Sequence, residues 1–199
     1  MPAETNSMPA ATNPMNALYE AVRSGDLAGA RTIVDADPTL AIFAAAMQGD
    51  AARLDELLAG NRSLISAVSP DGWTPLHLAA FFGRLDATRA LLNKGASPSA
   101  RSTNPMNNLP LHAAVAGRHT NVARLLLDHG APVDARQHGG WTALHAAALH
   151  GDCELAEILI GAGAQAGARA DNNQCALDLA LTKGQQAMVE LLEKHGASL

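Results

Sequence analysis

Apolar residues along this chain fall into short stretches at helical spacing, and the stretches come in pairs separated by a polar, glycine-marked break. "ALYEAVRSGDLAGARTIVDAD" and "LAIFAAAMQGDAARLDELLAG" open the series, each reading as helix, Gly-Asp, helix. Gly25 and Gly49 lie 24 residues apart, too close to fit a projecting loop between them. Downstream the phrases "TPLHLAA", "LPLHAAV", "TALHAAA" and "CALDLAL" recur, carrying His77, His112, His145 and Asp178 at spacings of 35, 33 and 33 residues. A second apolar stretch follows each phrase and ends in a similar way: "RALLNKGAS", "RLLLDHGAP", "EILIGAGAQ" and "ELLEKHGAS". A fixed period of this length is the signature of a stack of like units, each burying its apolar face against its neighbours.

The recurring residues have physical reasons to be there. Thr74 and Thr142 stand where a side chain caps a helix that starts at the next residue, and Pro75 and Pro110 suit a first helical position. Ala79–Ala80 and Ala146–Ala147 let neighbouring units approach closely. Gly83, Gly95, Gly130, Gly151, Gly163 and Gly184 stand where a helix stops in a left-handed conformation. Arg118 takes the place of such a glycine, with Gly117 one residue early, so either the helix ends one residue sooner, the simpler reading, or Arg118 carries the strain of a left-handed conformation. "ASPSARSTNPMNN", "APVDARQHGG" and "AQAGARADNN" have no helical period and many turn formers, and read as projecting fingers. The period lengthens by two residues at Ser102–Asn108. Inside a helix those two would turn every later side chain by about 200°, so they belong in the finger. Glu193 stands where other units have Leu92, Leu127 and Ile160, as a terminal unit facing water requires.

With its period near 33 residues and its T-P-L-H-x-A phrase, the sequence resembles the ankyrin-repeat family over nearly its whole length. The Ala-rich, compact repeats look like those of bacterial members. The expected fold is mainly α: an ankyrin-repeat α-solenoid of about six helix pairs with short β-hairpin-like fingers. Residues 1–14 are expected to form a disordered tail and 15–199 the repeat domain, with repeats near 15–38, 39–68, 69–101, 102–136, 137–169 and 170–199. In ankyrin-like proteins the repeat histidine hydrogen-bonds the loops of neighbouring repeats, which accounts for His77, His112 and His145.

Charge and composition narrow the function. The chain carries a net charge of −5 and no run of Lys or Arg, so a nucleic-acid footprint is absent. No stretch approaches the ~20 apolar residues of a membrane span, and Met1–Pro14 has neither the cationic start nor the apolar run of a leader. With two cysteines in no framework, a cytoplasmic monomer is expected. His119, His138 and His150 fall at three different repeat positions without zinc-site spacing, while His129 and His195 precede helix-ending glycines. Cys153 aligns with an apolar helix position and Cys175 with a capping Thr, and no catalytic or phosphate-loop motif is present. No cofactor, metal or catalysis is expected.

What remains is binding. The residue before each T-P-L-H phrase is Trp73, Asn108, Trp141 and Gln174, and the two after the Ala pair include Phe81-Phe82 and Leu149-His150. Both classes vary between copies, and in ankyrin-like proteins they line the fingers and the concave face that holds partners. Four of the six aromatic residues (Trp73, Phe81, Phe82, Trp141) lie there, as anchors for an unidentified protein partner, whereas Tyr19 and Phe43 read as core. Met106, on the lengthened finger, is expected to reach solvent at the edge of that face. Arg101, Arg136 and Arg169 share one position in three consecutive fingers and offer a contact to an acidic partner. The expected function is therefore a non-enzymatic protein–protein interaction module. The alternatives are an exported effector acting on a host protein, and an enzyme with its site on the concave face.

Overall fold

Helix starts and stops fall where the sequence punctuates them. The computed structural model describes residues 13–197, and among these there are twelve α-helices in six pairs. The pairs are α1 (Pro14–Ser24) with α2 (Leu27–Ala36), α3 (Ala41–Gln48) with α4 (Ala51–Gly60), and α5 (Pro75–Phe81) with α6 (Leu85–Asn93). They continue with α7 (Pro110–Ala116) and α8 (Thr120–Asp128), α9 (Ala143–His150) and α10 (Cys153–Gly161), and α11 (Ala176–Thr182) and α12 (Gln186–Lys194). The disordered tail expected over Met1–Pro14 lies outside the described residues except at its end. There Asn13 caps α1, its side chain accepting from Met15 N–H at 3.0 Å, and Pro14 is already helical.

The odd-numbered helices stack in one column and the even-numbered ones in another. From α3 onward each inner helix meets the next over more residues than the matching outer pair does. The fully buried Ala79, Ala80, Ala114, Ala147 and Ala148 permit that close approach, so the stack closes towards the inner column and is concave on that side. Between α2 and α3 the chain makes only a short 3-10 turn, Pro38–Leu40, where later repeats have a finger.

The fingers are backbone turns, not paired strands; the one isolated bridge among the described residues joins Arg169 and Cys175. Ser69 N–H bonds Trp73 O, Gln137 N–H bonds Trp141 O, and Ala170 N–H bonds Gln174 O, each closing a loop four residues long. In the second finger Ser102 N–H bonds Asn108 O, six residues on, so both extra residues sit in the finger as their period requires.

At Arg118 the structure takes the second alternative, not the simpler one. The helix α7 ends on Gly117 in a right-handed conformation and Arg118 itself takes the left-handed one, at φ 60°. The cause is packing from the preceding repeat: a Cβ on Gly117 would lie 2.5 Å from the carbonyl oxygen of Phe81. Glycine is held at 117 by space, and the backbone strain falls on its neighbour, at about 1 kcal/mol. Arg118→Gly should therefore raise the denaturation midpoint by up to that amount, less the entropy that glycine adds to the unfolded chain. A lowered midpoint would show that the contact from Arg118 Nε to Asp152 Oδ2, 3.3 Å, outweighs the strain.

Candidate protein-binding site

The repeat histidines form a line of bridges along the inner side. His77 Nε2 lies 3.1 Å from Asn108 O, His112 Nε2 3.0 Å from Ala135 O, and His145 Nε2 3.1 Å from Gln174 O. On the other ring nitrogen, Nδ1 accepts the backbone N–H of Thr74, Leu109 and Thr142 respectively. A ring that accepts at Nδ1 and faces a carbonyl at Nε2 is neutral with its proton on Nε2. Burial holds His77 and His112 at a pKa of about 4, against the hydrogen bonds to carbonyl oxygens that favour the charged ring. His145 is lowered by burial too, with the Arg136 charge adding to it. In the α11–α12 repeat Asp178 replaces His: its Oδ2 accepts Cys175 N–H at 2.8 Å, which keeps its carboxyl low.

Both tryptophans cover these bridges. The Trp73 ring meets His77 edge-on with centroids 5.4 Å apart, and Trp141 lies tilted on His145 at 5.7 Å. Each is half-buried, and each keeps water from a histidine–carbonyl bond.

The finger arginines form a second line. Arg101 Nη1 donates to Asn107 O of its own finger at 2.9 Å and to Arg136 O of the next at 3.0 Å. Arg136 repeats the pattern with Gly140 O and Arg169 O, and Arg169 donates to Asn173 O at 2.8 Å. Backbone bonds from Thr103 N–H to Gly72 O, His138 N–H to Met106 O and Asp171 N–H to Gly139 O join the same fingers tip to tip. Arg101 and Arg136 thus brace neighbouring fingers through backbone carbonyls and Arg169 braces its own, while the side chains of all three stay wholly or partly open to solvent. Charge-assisted bonds of this kind are among the stronger hydrogen bonds.

One inner-face cavity, of about 480 Å³, lies where the first helix pair meets the first finger and the end of α5. Its walls are Tyr19 of α1, Asp71 and Trp73 of the finger, and Leu78, Phe81 and Phe82. Tyr19 and Phe82 rings are near-parallel, 9° apart with centroids at 6.1 Å, and Phe81 stands edge-on to Phe82 at 5.5 Å. Tyr19 Oη donates to Asp71 Oδ2 at 2.5 Å, while Ser69 Oγ donates to Asp71 Oδ1 at 2.5 Å. Burial, and then the hydrogen bond and charge of Asp71, push the Tyr19 hydroxyl far above its ordinary range, so it stays a donor.

The structure divides the positions singled out in the sequence. Trp73, Phe81 and Phe82 share the cavity, with Phe81 the most open at 41 % exposure. Trp141 is not among its walls and stands by itself on His145. Asn108 is corrected outright: it is buried in the second finger, accepting from His77 and Ser102, and offers nothing to a partner. Met106 reaches solvent as expected, although its carbonyl is tied to His138. Leu149 is half-buried and His150 exposed at the end of α9. Tyr19 was missed. It precedes the first T-P-L-H phrase, so no repeat register relates it to a finger, and its helical spacing matches core.

Known proteins agree with this architecture. The family model described as ankyrin repeats (3 copies) matches residues 18–102, 42–137, 98–170 and 132–199. The chain belongs to the ankyrin-repeat family. It is similar to the Neurogenic locus Notch protein of Drosophila melanogaster, 39 % identical over 92 residues, 46 % of this chain and 3 % of that one. It is also similar to the human Transient receptor potential cation channel subfamily A member 1, 34 % identical over 111 residues, 55 % of this chain and 10 % of that one. The human Neurogenic locus notch homolog protein 4 matches at 47 % identity over 74 residues, 37 % of this chain and 4 % of that one. The chain thus spans a tenth or less of these curated relatives' length. Ankyrin repeats are protein-interaction modules, and no helix among the described residues is long and apolar enough to cross a membrane.

Proposed function

We propose that this chain binds a partner protein through the inner face of its N-terminal half and performs no catalysis of its own. The aromatic cavity carries the reading. At the position of Phe81 the other repeats have Met47, Ala116, Leu149 and Thr182, none of them aromatic, so the fold itself has no need of a ring there. An exposed aromatic at a position the scaffold leaves free is the raw material of an interface hot spot. Met106, Leu149 and His150 lie further along the same series of fingers and inner-helix ends and would form its polar and apolar rim. The non-catalytic half of the reading is supported by the histidines: both ring nitrogens of His77, His112 and His145 are engaged in backbone bonds, leaving none to shuttle a proton.

Phe81→Ser is the variant to use, because Trp73 also shields His77 and its loss would disturb the fold. The expected outcome is an unchanged denaturation midpoint, within about 0.5 kcal/mol as for exposed positions, with at least ~30-fold weaker retention of proteins that the wild-type chain holds from native extract. Retention of the same proteins at the same strength would overturn the reading.

A further inference from the structure

We propose that the cavity between α1 and the first finger receives the guanidinium of a partner's arginine side chain, set against the carboxylate of Asp71 and the faces of Tyr19, Phe81 and Phe82. This deepens the reading above and rests on it. The charge pattern points to a cation. Asp71 is only partly exposed, and among the described residues no Lys, Arg or His nitrogen lies within 4.0 Å of its carboxylate. Its two oxygens accept from Tyr19 and Ser69, neutral donors that orient it without cancelling its charge. Glu20 is on the same wall, and Arg23 is the one cation of the lining, so the cavity carries a net negative charge.

A purely apolar occupant would cover Asp71 and leave its charge buried without a partner, which is costly. An acidic occupant would add repulsion to that cost. The aromatic walls choose among cations. Tyr19 and Phe82 present near-parallel faces, and Phe81, turned 80° from Phe82, presents a third direction. A ring face attracts a cation held over it. Guanidinium is planar, weakly hydrated and stacks on rings while its edge donates to a carboxylate, whereas an ammonium is a strongly hydrated point charge. The arginine stem would lie along Leu78 and Phe81, apolar surface that its methylene groups can cover.

The test uses the full chain, with N-acetyl-argininamide as probe and the corresponding citrulline and lysine amides as comparisons, followed by NMR titration. Arginine should give saturable shifts confined to the Trp73 indole N–H and the signals of Tyr19, Asp71, Phe81 and Phe82. The uncharged citrulline isostere should bind at least about fivefold more weakly, and lysine more weakly than arginine. Asp71→Asn, which keeps an acceptor for Tyr19, should abolish the preference for arginine over citrulline. Phe81→Leu, at an exposed position where the fold is not at stake, should weaken arginine binding while retaining apolar bulk. Equal binding of arginine and citrulline, lysine matching arginine, shifts mapping elsewhere, or no arginine binding would each overturn the proposal. None of those results touches the comparison of Phe81→Ser with wild type in native extract, so failure of the arginine site and failure of the partner face are told apart.

Discussion

Urea midpoints should fall steeply as the pH drops from 6.5 towards 4, well before carboxylates protonate in bulk. His77 and His112 have pKa values near 4 in the folded chain, against 6.5 for an ordinary histidine. In that interval the unfolded chain binds protons that the folded chain refuses, so stability rises with pH and is lost on acidification. Each of these two rings contributes about 3 kcal/mol by this route. His145, lowered in the same direction, adds to them. Their combined loss is comparable to the ~5–15 kcal/mol that holds a typical domain folded. Asp178 acts in a separate window: its lowered carboxyl stabilises the fold above the ordinary carboxylate range and loses that contribution only as pH falls below about 4. Denaturation curves at pH 7, 6 and 5 check this. The same midpoint at pH 5 as at pH 7 would show that the histidines charge in place without penalty.

Replacing His112 by Ala is expected to cost about 3–5 kcal/mol at neutral pH. The change strands Leu109 N–H and Ala135 O in the middle of the array, each a buried group whose partner is removed, and empties the volume of a ring. His138→Ala, at an exposed finger position, should cost under about 0.5 kcal/mol and serves as the control. The two predictions are linked, since without His112 the acid loss of stability should become shallower. A His112→Ala chain with the wild-type midpoint would mean that the bridge to the next finger is not what holds the repeats in register.

Much of this architecture was legible because a repeat constrains itself. The period locates six helix pairs and assigns the two extra residues to the second finger, and the family resemblance it supports implies that the histidines link neighbouring loops. What escaped was whatever depends on distances between repeats. Nothing in "LHAAVAGRHTNV" announces that the Phe81 carbonyl crowds residue 117, so the sequence alone does not decide between a shortened helix and strain carried by Arg118. The arginines align in sequence, yet only three dimensions show Arg101 and Arg136 reaching the next finger's backbone and Arg169 only its own. Variation at Trp73, Asn108 and Trp141 suggests freedom to meet a partner. The same positions also close off a histidine bridge, by a ring over it in two repeats and a buried Asn in another. Tyr19 lay beyond the reach of alignment, because the first helix pair lacks the phrase on which the alignment rests.

That missing phrase has a thermodynamic consequence. The α1–α2 pair carries neither a bridging histidine nor a braced finger, and α1 meets α3 over a shorter stretch than any other inner neighbours share. In a stack held by nearest-neighbour contacts, a weakly joined unit opens before its better-joined neighbours do. Tyr19 makes α1 one wall of the aromatic cavity. The cavity therefore exists only in molecules whose first pair is seated, and apparent affinity there equals the intrinsic affinity scaled by that seated fraction. Occupancy in turn seats that pair by mass action. The joint between the first two helix pairs works as a latch: what is held in it also fastens it.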